Sequence, residues 1–385
     1  MKRLNILTIS KWYPSEVHSK SGIFVEELAK AVSSWHNVTV LFVYPSPRKI
    51  KGSYEVQIEE NGSLKVIRAR YQNYFPLPGI LETALFNWWT KQIFNKVLAP
   101  SYKPDIIHAH VYRAGPSALA IGKLANCPVL LSEHSLELLE HKHLTLEFRI
   151  FAKHILNKFS RILPVSAALK ARMQSLAPDV KYEIVPNVVD TNLFSPATPP
   201  LPPQHSRKRM LVVSLLTPGK GIHDLLKALS LTKANRQDFI LDIVGDGPES
   251  QRLKQLTNIY KLEDNVVFHG MRSKEEVAGF MKNCDFFVLP SRMETFGCVF
   301  IEAMACGKPI LSTKAGNIPD LVKEEFGVLV PPQNPQALQQ AINHMLDNFN
   351  RYPSQKIAEY AKSNFSYQAV ASQLDRIYKE ALAEK

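Results

Sequence analysis

The stretch SRMETFGCVFIEAMACGKPI, residues 291–310, holds two glutamates, Glu294 and Glu302. Seven residues separate them, a Phe-Gly pair and an otherwise apolar run. A carboxylate is costly to bury unless something pairs with it, so the question is what these two meet. The preceding DFFVLP reads as a buried strand ending at Leu289, and PSRME as a loop. A helix is expected from Phe296 and Gly297 to about Ala305, ended by Gly307 with Pro309 beyond. Glu294 then sits in the loop and Glu302 about two turns into the helix. The first N–H groups of that helix, from Phe296 through Cys298 to Val299, point back at the same loop. A helix N-terminus favours an anion, and carboxylates beside it would accept hydrogen bonds from hydroxyls. Hydroxyl acceptors flanking a phosphate site describe a nucleotide sugar.

The strand–loop–helix unit recurs along the chain. LNILTIS, VTVLFVY, DIIHAH, PVLLSEH and RILPVS read as buried strands of a first series, with amphipathic helices such as 24–34 and 115–125 between them. RMLVVSLL, FILDIVG, NVVFHG, DFFVLP and KPILST form a second series after residue 206. Strands alternating with helices predict an α/β chain with parallel sheets covered on both faces. Two such series in 385 residues predict two Rossmann-like doubly wound domains. The expected boundary is SPATPPLPPQHS, residues 195–206, with five prolines in twelve positions, which can enter neither a helix nor a central strand. The domains then span 1–195 and 206–365. The last segment, about 366–385, reads as an amphipathic helix with Val370, Leu374, Ile377 and Tyr378 on its stripe.

Composition narrows the class. Apolar residues make up 45%, ordinary for a globular chain, and no run approaches the roughly 18 apolar residues of a spanning helix. The N-terminus reads as a first strand rather than a signal peptide. The four cysteines form no C-x-x-C pair, which fits free thiols in a reducing cytoplasm. The charge is +12 and uneven: residues 1–195 carry 24 basic and 15 acidic side chains, the remainder 23 and 20. A basic first half fits an anionic partner or plain solubility.

Open parallel sheets bind ligands beyond the carboxyl ends of their strands. Five such loops carry Gly, Lys, His or Glu: Gly22 opening a helix after NILTIS, His134 after PVLLSE, Lys220 in GKGI, Gly245 in GDGPES, and Glu294. GDGPE lacks the third glycine of a dinucleotide fingerprint, and TPGKGI is not a Walker A loop. His108, His110, His134, His141 and His143 show no zinc spacing. D-x-D and G-x-S-x-G are absent from the sequence, which disfavours a diphosphate-bound metal of that type and a serine hydrolase.

The opening stretch, extended to SRMETFGCVFIEAMACGKPILSTKAGNIPDLV, resembles the E-x(7)-E signature of the retaining glycosyltransferases of family 4. GDGPE, GKGI, DIIHAH, EIVPNVVDTNLFSP and SGIFVEE continue the resemblance over nearly the whole chain, in family order. It implies the GT-B fold, two Rossmann-like domains facing a central cleft, the C-terminal helix crossing back to the first. It implies a metal-independent hexosyltransferase that moves a hexose, with retention, from a UDP- or GDP-linked donor to a polysaccharide, lipid-linked oligosaccharide or glycolipid. No cofactor is expected, the nucleotide sugar being the substrate. In the roles it implies, Glu294 bonds the sugar and Glu302 the ribose. Lys220, the loop at Gly22, and the amides near Phe296 and Gly297 hold the diphosphate. His134 lies near the transferred sugar. The family's arginine at the diphosphate is replaced by Leu215, after Ser214. Val188, Asn317 and Asp320 also depart from the pattern. Alternatives are a nucleotide-sugar-binding partner subunit without activity, and a GT-B epimerase.

The acceptor, a glycan or lipid-linked molecule, is expected on the first domain. Residues 74–100 read as an aromatic helix with Leu85, Trp89, Ile93 and Val97 on one stripe and Trp88, Phe94 and Leu98 off it. Such a helix is either buried or touches lipid. The basic stretch 148–161 could lie on anionic headgroups of a membrane's cytoplasmic face. Nucleic acid is not an expected partner.

Overall fold

The computed structural model describes residues 2–16, 21–73, 79–140, 146–197 and 207–384. Chain contacts divide into two units, Met1–Val188 with Tyr367–Lys385, and Val189–Ser366.

Unit 1 is built on a seven-stranded sheet. Its strands are β1 (Asn5–Ser10), β2 (Asn37–Pro45), β3 (Tyr54–Asn61), β4 (Leu64–Tyr71), β5 (Ile106–His110), β6 (Val129–Glu133) and β7 (Arg161–Pro164), in the order β3-β4-β2-β1-β5-β6-β7. The five expected strands are present and parallel. The sequence reading missed β3 and β4, an antiparallel hairpin that extends the sheet beyond β2. All of β3 is exposed or half-exposed, so it shows no apolar run. The helices are α1 (Ile23–Ser33), α2 (Gly79–Ile93), α3 (Gly115–Ala125), α4 (Glu137–Glu140), α5 (Leu146–Leu156) and α6 (Ala167–Leu176). Neighbouring strand residues such as Ile6 and Leu7, or Ile106 and Ile107, are all buried, as expected of a sheet covered on both faces.

The helix of residues 74–100 differs from expectation in phase. Its buried residues are Phe86, Trp89, Thr90, Ile93, Phe94 and Leu98, whereas Leu85 and Val97 are only half-buried. Up to Phe94 the buried face is that of an ordinary helix centred on Phe86, Thr90 and Ile93, one position from the expected stripe. Beyond it a π-helical stretch, Phe94–Leu98, in which the Ala99 N–H donates to the Phe94 carbonyl at 2.9 Å, puts Leu98 rather than Val97 in the core. Trp89 stacks on Tyr71, while Trp88 and Leu81 stay exposed. Residues 74–78 lie outside the described residues. In the basic stretch 148–161, Ala152, Ile155, Leu156, Phe159 and Arg161 are buried and Ile150 is exposed.

Unit 2 carries a six-stranded, all-parallel sheet of β8 (Lys208–Val213), β9 (Phe239–Val244), β10 (Val266–Gly270), β11 (Phe286–Leu289), β12 (Ile310–Thr313) and β13 (Gly327–Val330). The order is β10-β9-β8-β11-β12-β13. The strand β13, four residues long, was not expected. The helices are α7 (Ile222–Lys233), α8 (Ser250–Ile259), α9 (Lys274–Asn283), α10 (Cys298–Ala305), α11 (Ile318–Leu321), α12 (Pro335–Asn348) and α13 (Ser354–Phe365).

The last helix, α14 (Tyr367–Ala383), belongs to unit 1. Val370, Leu374, Ile377, Tyr378 and Ala381 bury their stripe against Val25, Leu28 and Val32 of α1. Arg161 of β7 donates to Glu380 and Glu384 at 2.7 Å each and fixes the far end of the helix. The division between units falls at Val188, not in the proline-rich stretch. Residues 189–194 already pack in unit 2: Phe194 is fully buried, and the Val189 N–H donates to the Phe365 carbonyl at 2.8 Å. Residues 198–206 lie outside the described residues.

Candidate active site

In unit 2 the loops after β8, β9 and β11 meet at the carboxyl edge of the sheet. A 3-10 turn, Pro218–Lys220, follows β8 and leads into α7. Here the Lys220 ammonium pairs with the Glu294 carboxylate at 2.7 Å, and both side chains are largely shielded from water. The same loops meet again where the Arg292 N–H donates to the Gly219 carbonyl at 2.8 Å. The Arg292 guanidinium sits on Asp224 at 3.0 Å, one turn into α7. Gly245 lies on the loop after β9 with φ 131°, and a Cβ there would stand 1.9 Å from the Ser214 carbonyl oxygen. No larger residue lets the two loops approach this closely. Leu215 next to it is 60% exposed and supplies no charge.

The helix after β11 starts later than expected. Gly297 is its N-cap in the left-handed conformation, and α10 begins at Cys298. Glu302 therefore lies a little over one turn in, not two. Glu294 precedes the cap and is held by its backbone as well, its carbonyl accepting from the Asn317 N–H at 3.3 Å. The helix ends at Ala305 as expected. The Phe296 ring is buried edge-on to Phe365 at 5.9 Å. Cys298 and Glu302 are half-buried. The structure thus brings Lys220 and Glu294 together, with Gly297 and α10 behind them.

The remaining expected residues lie in unit 1. Gly22 caps α1 with φ 69°, and a Cβ on it would strike the Trp12 carbonyl at 2.3 Å. The first turn of α1 carries Phe24, whose ring lies 4.3 Å from the His134 imidazole. His134 Nε2 in turn meets His110 Nδ1 at 3.2 Å, with the rings stacked. His110 stacks on His108. His108 bonds the Tyr378 hydroxyl at 2.7 Å through Nδ1 and the Ser132 hydroxyl at 2.8 Å through Nε2. Burial pushes His108 and His134 down to about 3. Burial, then repulsion from His108 and His134, holds His110 well below the ordinary imidazole value. All three rings are therefore neutral at pH 7. Among the described residues no three His, Cys, Asp or Glu side chains are grouped so as to hold a metal ion; His141 and His143 lie outside them.

Sequence reasoning noticed the H-x-H pair but gave it no part in the site, and it missed Glu133 altogether. Their contacts run between separate strand ends, and no spacing along the chain signals them.

Comparison with known proteins places this geometry. Residues 21–193 match the model of Glycosyltransferase Family 4, and residues 198–364 that of Glycosyl transferases group 1. A putative colanic acid biosynthesis glycosyltransferase, WcaL of Escherichia coli K12, is 29% identical over 296 residues, covering 72% of this chain and 71% of its own. Sucrose-phosphate synthase from Thermosynechococcus elongatus superposes over 100% of both chains with a TM-score of 0.81 at 24% identity. Anabaena Alr3699/HepE, solved in complex with UDP and glucose, aligns over 98% of this chain and 100% of its own, with a TM-score of 0.72 at 20% identity. Two parallel-dominated α/β units, matched in order by the two domain models, make the chain a member of the family 4 glycosyltransferases with the GT-B fold.

Proposed function

We propose that the protein transfers a hexose from a nucleoside diphosphate sugar to a glycan or lipid-linked acceptor, with retention and without a metal ion. The observation that carries this reading is the Lys220–Glu294 pair in front of the α10 N-terminus. Breaking the sugar–phosphate bond builds negative charge on the leaving diphosphate and positive charge on the sugar ring. Lys220 and the backbone amides at the start of α10 stabilise the first, an electrostatic role that a metal would otherwise fill. On this reading Glu294 gives up Lys220 to the diphosphate and accepts hydroxyls of the sugar. Glu302 accepts the ribose hydroxyls. His134, neutral and half-buried in unit 1, is the residue this reading assigns to the transferred sugar. The attacking acceptor approaches on the face of the departing diphosphate, whose oxygen takes its proton. That UDP and glucose occur together in the HepE complex supports UDP as the first donor nucleotide to try.

The acceptor belongs to unit 1. A cavity of about 300 Å³ is lined by Glu16, Tyr44, Glu55, Gln57, Arg68 and Arg70, a mixture of ring, carboxylate, amide and guanidinium that suits sugar hydroxyls. No helix among the described residues is long and apolar enough to cross a membrane. Peripheral contact of the exposed Trp88 and Leu81 with an anionic cytoplasmic surface is the mode of membrane association this reading allows.

A thermal-shift screen of UDP, GDP and their sugars in EDTA tests the donor site. Radiolabelled nucleotide sugars with a membrane extract then test transfer. Stabilisation without transfer to any acceptor would favour a nucleotide-sugar-binding subunit, the reading to which uncharged Leu215 lends itself. Donor binding abolished by EDTA would remove the metal-free site.

A further inference from the structure

The loops after β5 and β6 contain a construction that the donor chemistry does not use. Glu133, the last residue of β6, is fully buried. Its carboxylate is held by backbone N–H groups: Oε1 accepts from His134 and Ser135 at 2.9 Å each, and Oε2 from Tyr112 at 2.7 Å. Burial raises its pKa, and these bonds oppose the rise. Tyr112 follows Val111, whose φ of 67° and ψ of 132° are foreign to a β-branched residue. Strain of this kind persists only where the surroundings over-determine it. Two bonds flank it here, the Val111 N–H to the Ser132 carbonyl at 2.8 Å and the Tyr112 N–H to Glu133. The loops are tied a second time further out, where Arg113 donates to both oxygens of Glu137 at 2.8 Å and the Tyr112 hydroxyl donates to it at 3.1 Å. His110 and His134 stand at the base of these two ties.

We propose that Glu133 is a positioning residue for His134: its buried carboxylate holds the strained turn at Val111 and so fixes the His134 ring between Phe24 and His110. A neutral isostere cannot replace it, because three donors converge on two oxygens and an amide would turn an N–H toward one of them. The proposal rests on the glycosyl-transfer reading only in treating His134 as a site residue.

The test uses the full chain with ¹⁵N-labelled histidine, the imidazole resonances assigned with His134→Gln and His110→Gln. In the wild type the His134 ring is expected to stay neutral well into the acid range, burial holding its pKa down to about 3. In Glu133→Gln the loop opens to water, and the His134 midpoint is expected to rise by more than about one pH unit. UDP affinity, which the reading assigns to Lys220, the α10 amides and the loop at Gly22 rather than to the β5 and β6 loops, is expected to stay unchanged. Adding Val111→Gly is expected to bring the midpoint back, because glycine holds the turn without strain. An unmoved midpoint in folded Glu133→Gln, or one that Val111→Gly leaves raised, overturns the proposal. Should the glutamine variant not fold, hydrogen exchange of the wild type decides. The Tyr112, His134 and Ser135 amides are expected to be as protected as those of β5 and β6, and exchange of Tyr112 at the rate of an exposed loop overturns it. Transfer by His134→Ala separates the two readings: undiminished transfer removes His134 from the site while leaving the spectroscopic result on Glu133 standing.

Discussion

The candidate residues of unit 2 and those of unit 1 are held in different ways. In unit 2 a lysine and a glutamate from two loops neutralise each other, and each remains partly reachable by water. In unit 1 two buried histidines and a half-buried third are stacked as neutral rings, and a carboxylate beside them is satisfied by backbone amides. The first arrangement can exchange partners: a diphosphate can take Lys220 from Glu294. The second cannot, because each bond it gives up leaves a buried polar group unsatisfied. Unit 2 should therefore answer to charge and nucleotide, and unit 1 to pH and packing.

The largest effect expected is from Lys220→Ala. Loss of one pre-organised donor at a developing charge typically costs roughly 100-fold or more in turnover. A partly exposed ion pair contributes only about 1 kcal/mol or less to stability. Steady-state rates and a denaturant melt on the same sample check both halves. Near-normal turnover would mean that the charge comes from elsewhere.

Glu294→Gln and Glu302→Gln sharpen the picture of exchange within unit 2. Glu294→Gln is expected to cut transfer strongly yet to leave UDP affinity unchanged or somewhat higher, because Lys220 is no longer occupied by a carboxylate. Glu302→Gln is expected to weaken bare UDP by about tenfold or more, a charged hydrogen bond being worth roughly 1.5–3 kcal/mol. Calorimetric titration distinguishes them, and equal losses in the two variants would end the division of labour.

Acid provides the corresponding test of unit 1. Burial depresses the imidazoles of His108, His110 and His134 in the folded state. Between about pH 6.5 and their folded values the unfolded chain binds more protons than the folded one. Their contribution is thus complete above about pH 6.5 and is lost as the pH falls, toward about 3 for His108 and His134, by about 1.4 kcal/mol per pH unit for each histidine titrating in the unfolded chain. Hydrogen exchange should show β5 and β6 losing protection before β8 and β11 on acidification. His108→Gln should flatten the slope. Simultaneous loss in both units would erase the contrast.

The contrast also marks what could be read from sequence. The loop, the helix and both glutamates of the unit 2 candidate site were legible as a local pattern because they fall within a dozen consecutive positions, whereas the Lys220–Glu294 pair, 74 positions apart, was not. Ten of the thirteen strands, all but β3, β4 and the short β13, were legible as apolar runs for the same local reason. The β3–β4 hairpin was missed because its edge strand is polar and exposed, although Gly62-Ser63, its two-residue loop, is a recognised hairpin signal. The end of the aromatic helix was missed because its π-turn puts Leu98 rather than Val97 on the buried face, and its start because so many apolar residues surround the helix that spacing does not single out one face. Glu133 and His110 could not be assigned at all. The contacts that join the two loops, Glu133 to the Tyr112 amide and His110 to His134, span more than twenty positions, and a glutamate in an apolar strand looks the same whether amides or solvent await it.

The smallest effect tests how far the rigidity of unit 1 extends. Tyr378 of α14 is fully buried, and its hydroxyl bonds His108 Nδ1 at 2.7 Å. Phenylalanine there keeps the ring and its packing and removes one hydrogen bond. A net bond is worth about 1 kcal/mol, but a buried imidazole nitrogen left without its partner adds a desolvation cost, so a loss of about 1–3 kcal/mol is expected. The denaturant midpoint should fall without a change in slope, since no further surface is exposed. His108 rests on His110, and His110 on His134, so the His134 imidazole resonance should also shift slightly in Tyr378→Phe. UDP affinity should not move. A fall in stability with a stationary His134 signal would confine the role of the helix to packing, and the stacked rings would then not act as one body.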